Sequence, residues 1–196
     1  MIVDREEEIE KFIPEEYWNI YANLEEPETK KHFEAKFYGK NGKKQEIHSE
    51  NDVKEITLKD KNIAFCKGCL ACQKLGKCVI DDDVALISKD MHDAQVIAFA
   101  TPIYYYEMSG QMKTLLDRAN WLYSSDYKFE DIYLLSTAAE DEDYVDKRAI
   151  SGLEGWIDCF EKARLAGKVF AGGVNDAGEI VGHTGLEKAY ELGKAI

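Results

Sequence analysis

Four of the five cysteines in this sequence fall within thirteen residues, and these are Cys66, Cys69, Cys72 and Cys78. Their spacing is C-x2-C-x2-C-x5-C, and the two-residue gaps let successive thiolates curl around one inorganic cluster. Gly68 and Gly76 would give the intervening loop the backbone freedom that such a curl requires. The four thiolates match the number that a [4Fe-4S] cluster needs.

Two other interpretations of these cysteines stay open. Zinc could occupy a four-thiolate site, although structural zinc sites more often separate two C-x-x-C pairs by a longer spacer. The cysteines could also remain free thiols in a folded hairpin. In either case, such clustering in a reducing compartment indicates metal or redox chemistry rather than a disulfide framework.

A second candidate segment follows the continuous apolar run at residues 95–100, and it consists of Thr101, Pro102, Ile103, Tyr104, Tyr105 and Tyr106. Ligands of open α/β sheets bind beyond the carboxyl ends of the strands, so this segment should border a pocket. The tyrosines offer flat faces to an aromatic ring, and Ser109 could cap the following helix. The alternative is a turn whose tyrosines pack in a subunit interface.

A third segment of small and acidic residues follows the apolar run at residues 132–136, and it consists of Thr137, Ala138, Ala139, Glu140 and Asp141. Small side chains permit a close approach of the backbone, whose N–H groups could meet the polar edge of a ligand. The pattern is weak by itself, because many loops between a strand and a helix share it.

Six further side chains receive no chemical role, and these are Lys113, Asp117, Arg118, Cys159, His92 and His183. The first three are expected to form a solvated helix face or an intersubunit pair. The cysteine is expected to be a small buried apolar group, and the histidines lack partners at ligand spacing. No catalytic residue is assigned.

The composition narrows the classes of partner. The 196 residues include 38 acidic and 25 basic side chains, for a net charge of -13. Nucleic acids and anionic membranes are polyanions and would be repelled, so neither is an expected partner. The charged first residues differ from a signal peptide, and no apolar run reaches about 18 residues, so a cytoplasmic location is expected.

The chain changes character near residue 56, which divides it into two predicted segments, 1–56 and 57–196. The first is dense in charge and predicts a helix over 5–11 followed by an antiparallel meander over 18–24, 32–38 and 44–47. The second alternates apolar strands with amphipathic helices, which predicts an α/β fold with a doubly wound parallel sheet. Its strands are predicted at 95–100, 132–136 and 169–173, and its helices at 83–91, 109–119, about 144–166 and 185–194.

The cysteine motif followed by residues 101–118 resembles the NAD(P)H-dependent FMN reductase and iron–sulfur flavoprotein group. The resemblance implies a flavodoxin-like fold, FMN at the strand ends and a homodimer or tetramer. It further implies that residues 101–105 and 137–141 border FMN and that the four cysteines ligate a [4Fe-4S] cluster. NAD(P)H would be the electron donor, and a small redox substrate or an electron-carrier protein would be the acceptor.

The amino-terminal segment departs from that group. Residues 2–18 resemble an internal stretch of type IA DNA topoisomerases, and the likeness continues weakly through 33–36 and 42–44, without the catalytic motifs of that family. A topoisomerase-like piece would then replace the first strand, the phosphate-binding loop and the first helix. In the order 2-1-3-4-5 that first strand is central, so residues 18–24, residues 33–38 or a partner chain would take its place, or the sheet would be rebuilt.

Two functions follow from these features. The first is an FMN-dependent oxidoreductase or electron-transfer flavoprotein that passes electrons from NAD(P)H through flavin to an acceptor, with the cysteine cluster as a relay. The second is a structural or interaction protein that keeps the scaffold without FMN. It is suggested by Glu25, Glu26 and Glu28, which would repel a phosphate if they lay where the phosphate loop belongs.

Overall fold

The structure is a computed structural model that describes the backbone of residues 19–24, 37–38 and 44–45 and the full residues 53–176 and 178–196. The strands are β1 (Asn19–Leu24), β2 (Phe37–Tyr38), β3 (Lys44–Gln45), β4 (Val53–Thr57), β5 (Ala94–Tyr104), β6 (Glu107–Met108), β7 (Asp131–Thr137) and β8 (Arg164–Ala171). The α-helices are α1 (Ala71–Leu75), α2 (Val84–Asp93), α3 (Gly110–Arg118), α4 (Lys147–Ile157) and α5 (Thr184–Lys194), and a 3-10 helix spans Asn120–Ser124.

The main sheet has the strand order β4-β1-β5-β7-β8, and β6 forms a short hairpin with β5. Strands β5, β7 and β8 are parallel, which confirms the predicted α/β architecture. Strand β1 is antiparallel to both of its neighbours, so β4 and β5 point the same way. The sheet is therefore mixed rather than wholly parallel. The edge at which β4, β5, β7 and β8 end is here called the carboxyl edge.

Strand β1 fills the central position for which the sequence offered no ordinary first strand. Its backbone pairs with β4 on one side and with β5 on the other, where Ile20 lies opposite Phe99 and Leu24 opposite Ala94. Both neighbours thereby gain hydrogen-bond partners. Because Leu24 faces the first residue of β5, the chain leaves β1 at the edge opposite the carboxyl edge.

The predicted meander is wrong in its pairing. Phe37 and Tyr38 pair with Gln45 and Lys44 in a separate two-stranded sheet, whereas β1 joins the main sheet. Period-two alternation identifies strands but carries no information about their partners. The predicted helix at 5–11 lies outside the described residues. The division at residue 56 stays a prediction.

The apolar faces of the helices pack on the central strands. In α4 the buried residues are Ala149, Ile150, Leu153 and Ile157, which recur at helical spacing. The Trp156 ring lies against Phe129 at 5.9 Å between centroids, and Phe99 is fully buried on β5. The core therefore lies between the strands β5 and β7 and the helices that cover them. It keeps the ends of these two strands aligned at the carboxyl edge.

The helix predicted over about 144–166 is too long. Helix α4 ends at Ile157, and the chain then enters β8 at Arg164, where it pairs with Asp131 of β7. The predicted helix stop, Gly167, lies inside this strand. A Cβ atom at Gly167 would lie 2.8 Å from Leu192 Cδ1 and 3.1 Å from the Tyr133 ring, so the absence of a side chain lets α5 pack closely on β8.

We predict that Gly167→Ala lowers the free energy of unfolding by about 1–3 kcal/mol, because the added methyl group overpacks the α5–β8 contact. Gly155→Ala is the matched control, since a Cβ there has no atom within 4 Å and alanine favours the helix by about 1 kcal/mol. Denaturant unfolding measures both. Equal stability of Gly167→Ala and the parent protein would contradict the packing described.

Candidate functional site

The four clustered cysteines lie in the segment between β4 and α2, residues 58–83, here called the cysteine loop. Because β4 ends at the carboxyl edge, the loop begins there. Its turns use left-handed backbone at Gly68, Leu70 and Gly76, with φ of 63°, 55° and 63°. The two glycines thus occupy positions that require φ above zero, which supports their predicted role.

All four clustered cysteines line one cavity of about 340 Å³. Cys66 and Cys69 are exposed, whereas Cys72 and Cys78 are half-buried. Three more residues complete the wall, and these are Asp117 and Arg118 at the end of α3 and Asn120 at the start of the 3-10 helix. The structure therefore brings the predicted cysteines together.

An ion pair holds the cysteine loop against α3. Arg118 donates from Nη1 and Nη2 to the two Asp82 carboxylate oxygens at 2.7 and 2.9 Å, and Nη1 also donates to the Ala64 carbonyl at 2.6 Å. The side chains of Arg118 and Asp82 are 0% and 2% exposed. Asp82 in turn accepts from the backbone N–H groups of Ala64 and Val84. Both ends of the loop are thus fixed to one buried guanidinium.

The charges of this pair are stable in the folded protein. Burial alone would raise the pKa of Asp82, but the hydrogen bonds from Arg118 and Ala64 outweigh it and lower the pKa. Burial likewise acts to lower the pKa of Arg118, and the Asp82 carboxylate and the Cys78 sulfur outweigh it and raise the pKa. A permanent positive charge therefore stands in the wall of the cysteine cavity.

The sequence interpretation of Arg118 as part of a solvated face is wrong. It is the largest fully buried side chain of the described residues. The neighbouring pair Lys113–Asp117 is exposed, with Nζ and Oδ1 2.6 Å apart, as expected. A signal for Arg118 was present, since it follows the apolar Leu115 at a spacing of three and so lies beside the apolar side of α3.

The four thiols that line the cavity are donors that either an iron–sulfur cluster or a zinc ion would use. Among the residues that the structure describes, no three His, Cys, Asp or Glu side chains converge on one ion-sized point. A tetrahedral zinc site needs such convergence, with sulfur about 2.3 Å from the metal. A [4Fe-4S] cluster also takes four thiolates, so the cavity matches that group in the type and number of its donors.

The tyrosine segment is partly strand and partly turn. Strand β5 continues to Tyr104, and Thr101 and Pro102 lie opposite Ser136 and Thr137 of β7. Thr101 Oγ1 accepts a hydrogen bond from the Ser109 backbone at 3.0 Å. The prediction that Ser109 caps α3 is confirmed, because its Oγ accepts from the Met112 N–H at 3.3 Å.

The turn from β5 to β6 exposes aromatic surface in strained backbone. Tyr105 and Tyr106 both have positive φ, 51° and 67°, which for a residue with a side chain costs about 1–2 kcal/mol. Tyr105 is 95% exposed. The Tyr106 hydroxyl donates to the Glu140 carboxylate at 3.1 Å and so connects this turn to the segment after β7.

The segment after β7 is tied to the end of β8. The Ala138 N–H donates to the Ala171 carbonyl at 3.2 Å, and the Val174 N–H donates to the Ala138 carbonyl at 3.0 Å. A Cβ at Gly172 would lie 2.7 Å from the Glu140 carbonyl oxygen, so the two segments touch through backbone. The N–H groups of residues 139–141 make no hydrogen bond to any residue that the structure describes, so they are available to a ligand.

The remaining side chains are structural. Cys159 is exposed, so the expectation that it is buried is wrong. His183 Nδ1 accepts from the Gly185 N–H at 2.9 Å and caps α5. His92 lies between the carboxylates of Asp93 and Asp126, at 2.8 and 3.1 Å, so it joins the end of α2 to the segment before β7.

The fold is the flavodoxin-like α/β class, and comparison with solved structures agrees. An azoreductase from Bacillus anthracis superposes with a TM-score of 0.52 at 14% identity, over 72% of this chain and 80% of that chain. The model of the NADPH-dependent FMN reductase family matches residues 35–139, more than half of the chain. The chain belongs to that family. The match begins at residue 35, inside the segment that the sequence set apart.

Curated relatives match shorter stretches. An iron-sulfur flavoprotein of Methanocaldococcus jannaschii is 44% identical over 64 residues, which are 33% of this chain and 33% of that protein. The match thus spans about a third of the length of such relatives. DNA topoisomerase 1 of Xylella fastidiosa is 54% identical over 52 residues, 26% of this chain and 6% of that protein. This match confirms the second resemblance and covers too little of the topoisomerase to imply its activity.

We predict that Arg118→Met lowers the free energy of unfolding by about 3–5 kcal/mol, because it leaves the Asp82 carboxylate buried without a partner. Lys113→Met, the same substitution on the exposed side of α3, should change it by less than about 0.5 kcal/mol. Denaturant unfolding monitored by tryptophan fluorescence measures both.

The loss of stability in Arg118→Met should also depend on pH. The folded-state pKa of Asp82 lies below its ordinary value of 3.8, so the pair stabilises the fold fully above about that pH and less as the pH falls through the folded value. The difference between parent and Arg118→Met should therefore shrink in strong acid. A difference that is small at neutral pH would refute the anchoring role of the pair.

Proposed function

We propose that this protein is a flavin-dependent oxidoreductase that binds FMN at the carboxyl edge and takes electrons from NAD(P)H. The observation that carries the proposal is the Tyr106–Glu140 hydrogen bond. It joins the segments after β5 and β7, each of which the sequence independently marked as bordering a ligand. Membership of the FMN reductase family supports the same cofactor.

The residues at this edge fit a flavin. The free N–H groups of residues 139–141 are donors for the carbonyl and nitrogen edge of the ring system. Gly172 keeps the backbones after β7 and β8 in contact, and larger residues there would force them apart. Ser136 Oγ is buried near the end of β7 without a hydrogen-bond partner among the described residues, so a polar group remains to be satisfied at this edge.

The glutamates at 25, 26 and 28, which the sequence suggested would repel a phosphate, lie outside the described residues. Strand β1 itself runs opposite to a first strand that would end beside the proposed flavin. Leu24 pairs with Ala94 at the opposite edge, so the chain leaves β1 away from the proposed flavin. Residues 25–36 themselves lie outside the described part of the chain.

FMN when bound supplies hydride acceptance and one-electron transfer, and an iron–sulfur cluster supplies single-electron relay. The chain's own contribution is orientation and proton control. Hydrogen bonding and charge from Glu140 raise the pKa of Tyr106, so its phenol keeps the proton near neutral pH. The single hydroxyl proton of Tyr106 is donated to Glu140, so this bond fixes the Tyr106 ring beside the proposed flavin position.

We further propose that Cys66, Cys69, Cys72 and Cys78 ligate a [4Fe-4S] cluster. Their shared cavity and the names of the curated relatives support this assignment. The physiological acceptor is then a small redox substrate or an electron-carrier protein, and a homodimer or tetramer in a reducing cytoplasm is the expected form. The described residues include no helix long and apolar enough to cross a bilayer.

We predict that Tyr105→Gly stabilises the fold by about 1 kcal/mol, because glycine adopts the positive φ without strain, yet weakens FMN binding about tenfold through loss of an aromatic contact. Flavin fluorescence titration and denaturant unfolding measure the two effects. Tyr123→Ala, which truncates an exposed tyrosine of the 3-10 helix, should leave FMN affinity unchanged. Absence of FMN binding by the parent would favour a scaffold without flavin, and unchanged affinity of Tyr105→Gly would place Tyr105 outside the site.

We predict that the parent protein, reconstituted anaerobically with iron and sulfide, retains about four irons per chain. Cys72→Ser should lose most of this iron, because one of the four ligands is replaced. Cys159→Ser should retain it, since that exposed cysteine does not line the cavity. Iron and sulfide analysis after gel filtration measures the result. Retention of zinc instead of iron, or equal iron in Cys72→Ser, would contradict the cluster assignment.

A further inference from the structure

The wall of the cysteine cavity contains a side-chain donor aimed at one of the sulfurs. Asn120 Nδ2 donates to Cys72 Sγ at 3.4 Å, within the range of N–H···S hydrogen bonds. Asn120 is half-buried at the start of the 3-10 helix, where the chain has just left α3. Its position is thus determined by the same helix end that holds Arg118.

Arg118 adds a second feature to this wall. Its Nε is buried without a hydrogen-bond partner in the described part of the chain, although its terminal nitrogens are bonded to Asp82 and Ala64. A buried donor without a partner carries a free-energy cost. Arg118 itself lines the cavity together with the four cysteines.

Other charges near the cavity are less directly placed. Asp117 is half-exposed and paired with Lys113, and Asp82 is neutralised by Arg118. Lys67 lines the cavity and is exposed. Within the described wall, Asn120 is therefore the uncharged side chain whose N–H group already donates to the sulfur of a proposed ligand, Cys72.

We propose that Asn120 is a positioning residue that raises the reduction potential of the cysteine-bound centre through its hydrogen bond to Cys72, an inference that rests on the proposed cluster. One-electron reduction adds negative charge to the centre and its thiolates. A donor to a ligand sulfur stabilises that added charge, so the reduced form becomes relatively more favourable. Removing the donor disfavours reduction, and replacing it with a carboxylate disfavours it more.

The test compares the reduction potential of the cluster in the full-length protein, parent and variants, by anaerobic titration followed by electron paramagnetic resonance. Asn120→Ala should lower the potential. Asn120→Asp, which keeps the side-chain size, should lower it further, by about 59 mV, a tenfold change in the one-electron equilibrium. Gln73→Glu is the control, because it places the same charge next to Cys72 in sequence, on an exposed side chain of α1.

The possible outcomes distinguish a failure of this inference from a failure of the proposed cluster. A parent protein that retains no iron overturns the proposed cluster and this inference together. Retained iron with the same potential in the parent, Asn120→Ala and Asn120→Asp overturns the inference alone. A lower iron content without a shift of the remaining signal would show a structural role only and would also overturn it. A shift as large in Gln73→Glu would assign the effect to charge rather than to the hydrogen bond.

Discussion

The ion pair between Arg118 and Asp82 determines where the chemistry of this protein can take place. Two desolvated charges are favourable only when hydrogen bonds replace most of the lost hydration, and here the carboxylate accepts from Arg118, Ala64 and Val84. The pair joins the end of α3 to a loop of exposed residues that has little apolar contact of its own. Together with the paired hydrogen bonds between Asn62 and Asp83, it holds Cys66 and Cys78 around a common cavity. The stability of the fold and the geometry of the candidate cluster site thus depend on the same contact.

The second constraint is the centre of the sheet. A doubly wound sheet cannot leave its central position empty, because both neighbouring strands would carry unpaired backbone groups. Strand β1 satisfies them in the antiparallel direction, which preserves the order of the flavodoxin-like fold but reverses the direction in which the chain leaves that strand. The carboxyl edge is consequently built from the segments after β4, β5, β7 and β8. A flavin held there would depend on backbone donors and on Tyr106 rather than on a loop after the first strand.

The sequence predicted the elements whose signals are local and missed the features that depend on distant partners. Apolar runs located β5 and β7, and helical periodicity located α2, α3 and α5 to within a few residues. The overlong fourth helix arose because β8 begins with residues, such as Gly167, whose extended form is imposed by pairing with β7. The pairing of β1 with β5, the Arg118–Asp82 ion pair and the Tyr106–Glu140 bond each join residues 30 or more positions apart, and no local pattern identifies such partners. At the site, residue types and spacing indicated the shared cysteine cavity and the two segments proposed to border a flavin, whereas the donors that complete the cavity wall emerged only from the packing of α3.

The central claim is that one chain carries a flavin at the carboxyl edge and an iron–sulfur centre in the adjoining loop, and that electrons pass between them. The most direct measurement is anaerobic titration of the protein, loaded with FMN, iron and sulfide, with NADPH, followed by absorption and electron paramagnetic resonance on the same sample. The account predicts that reducing equivalents appear in bound flavin and then in the iron–sulfur centre of the same molecules. Flavin that stays unbound, or an iron–sulfur centre that stays oxidised after the bound flavin is fully reduced, would contradict it.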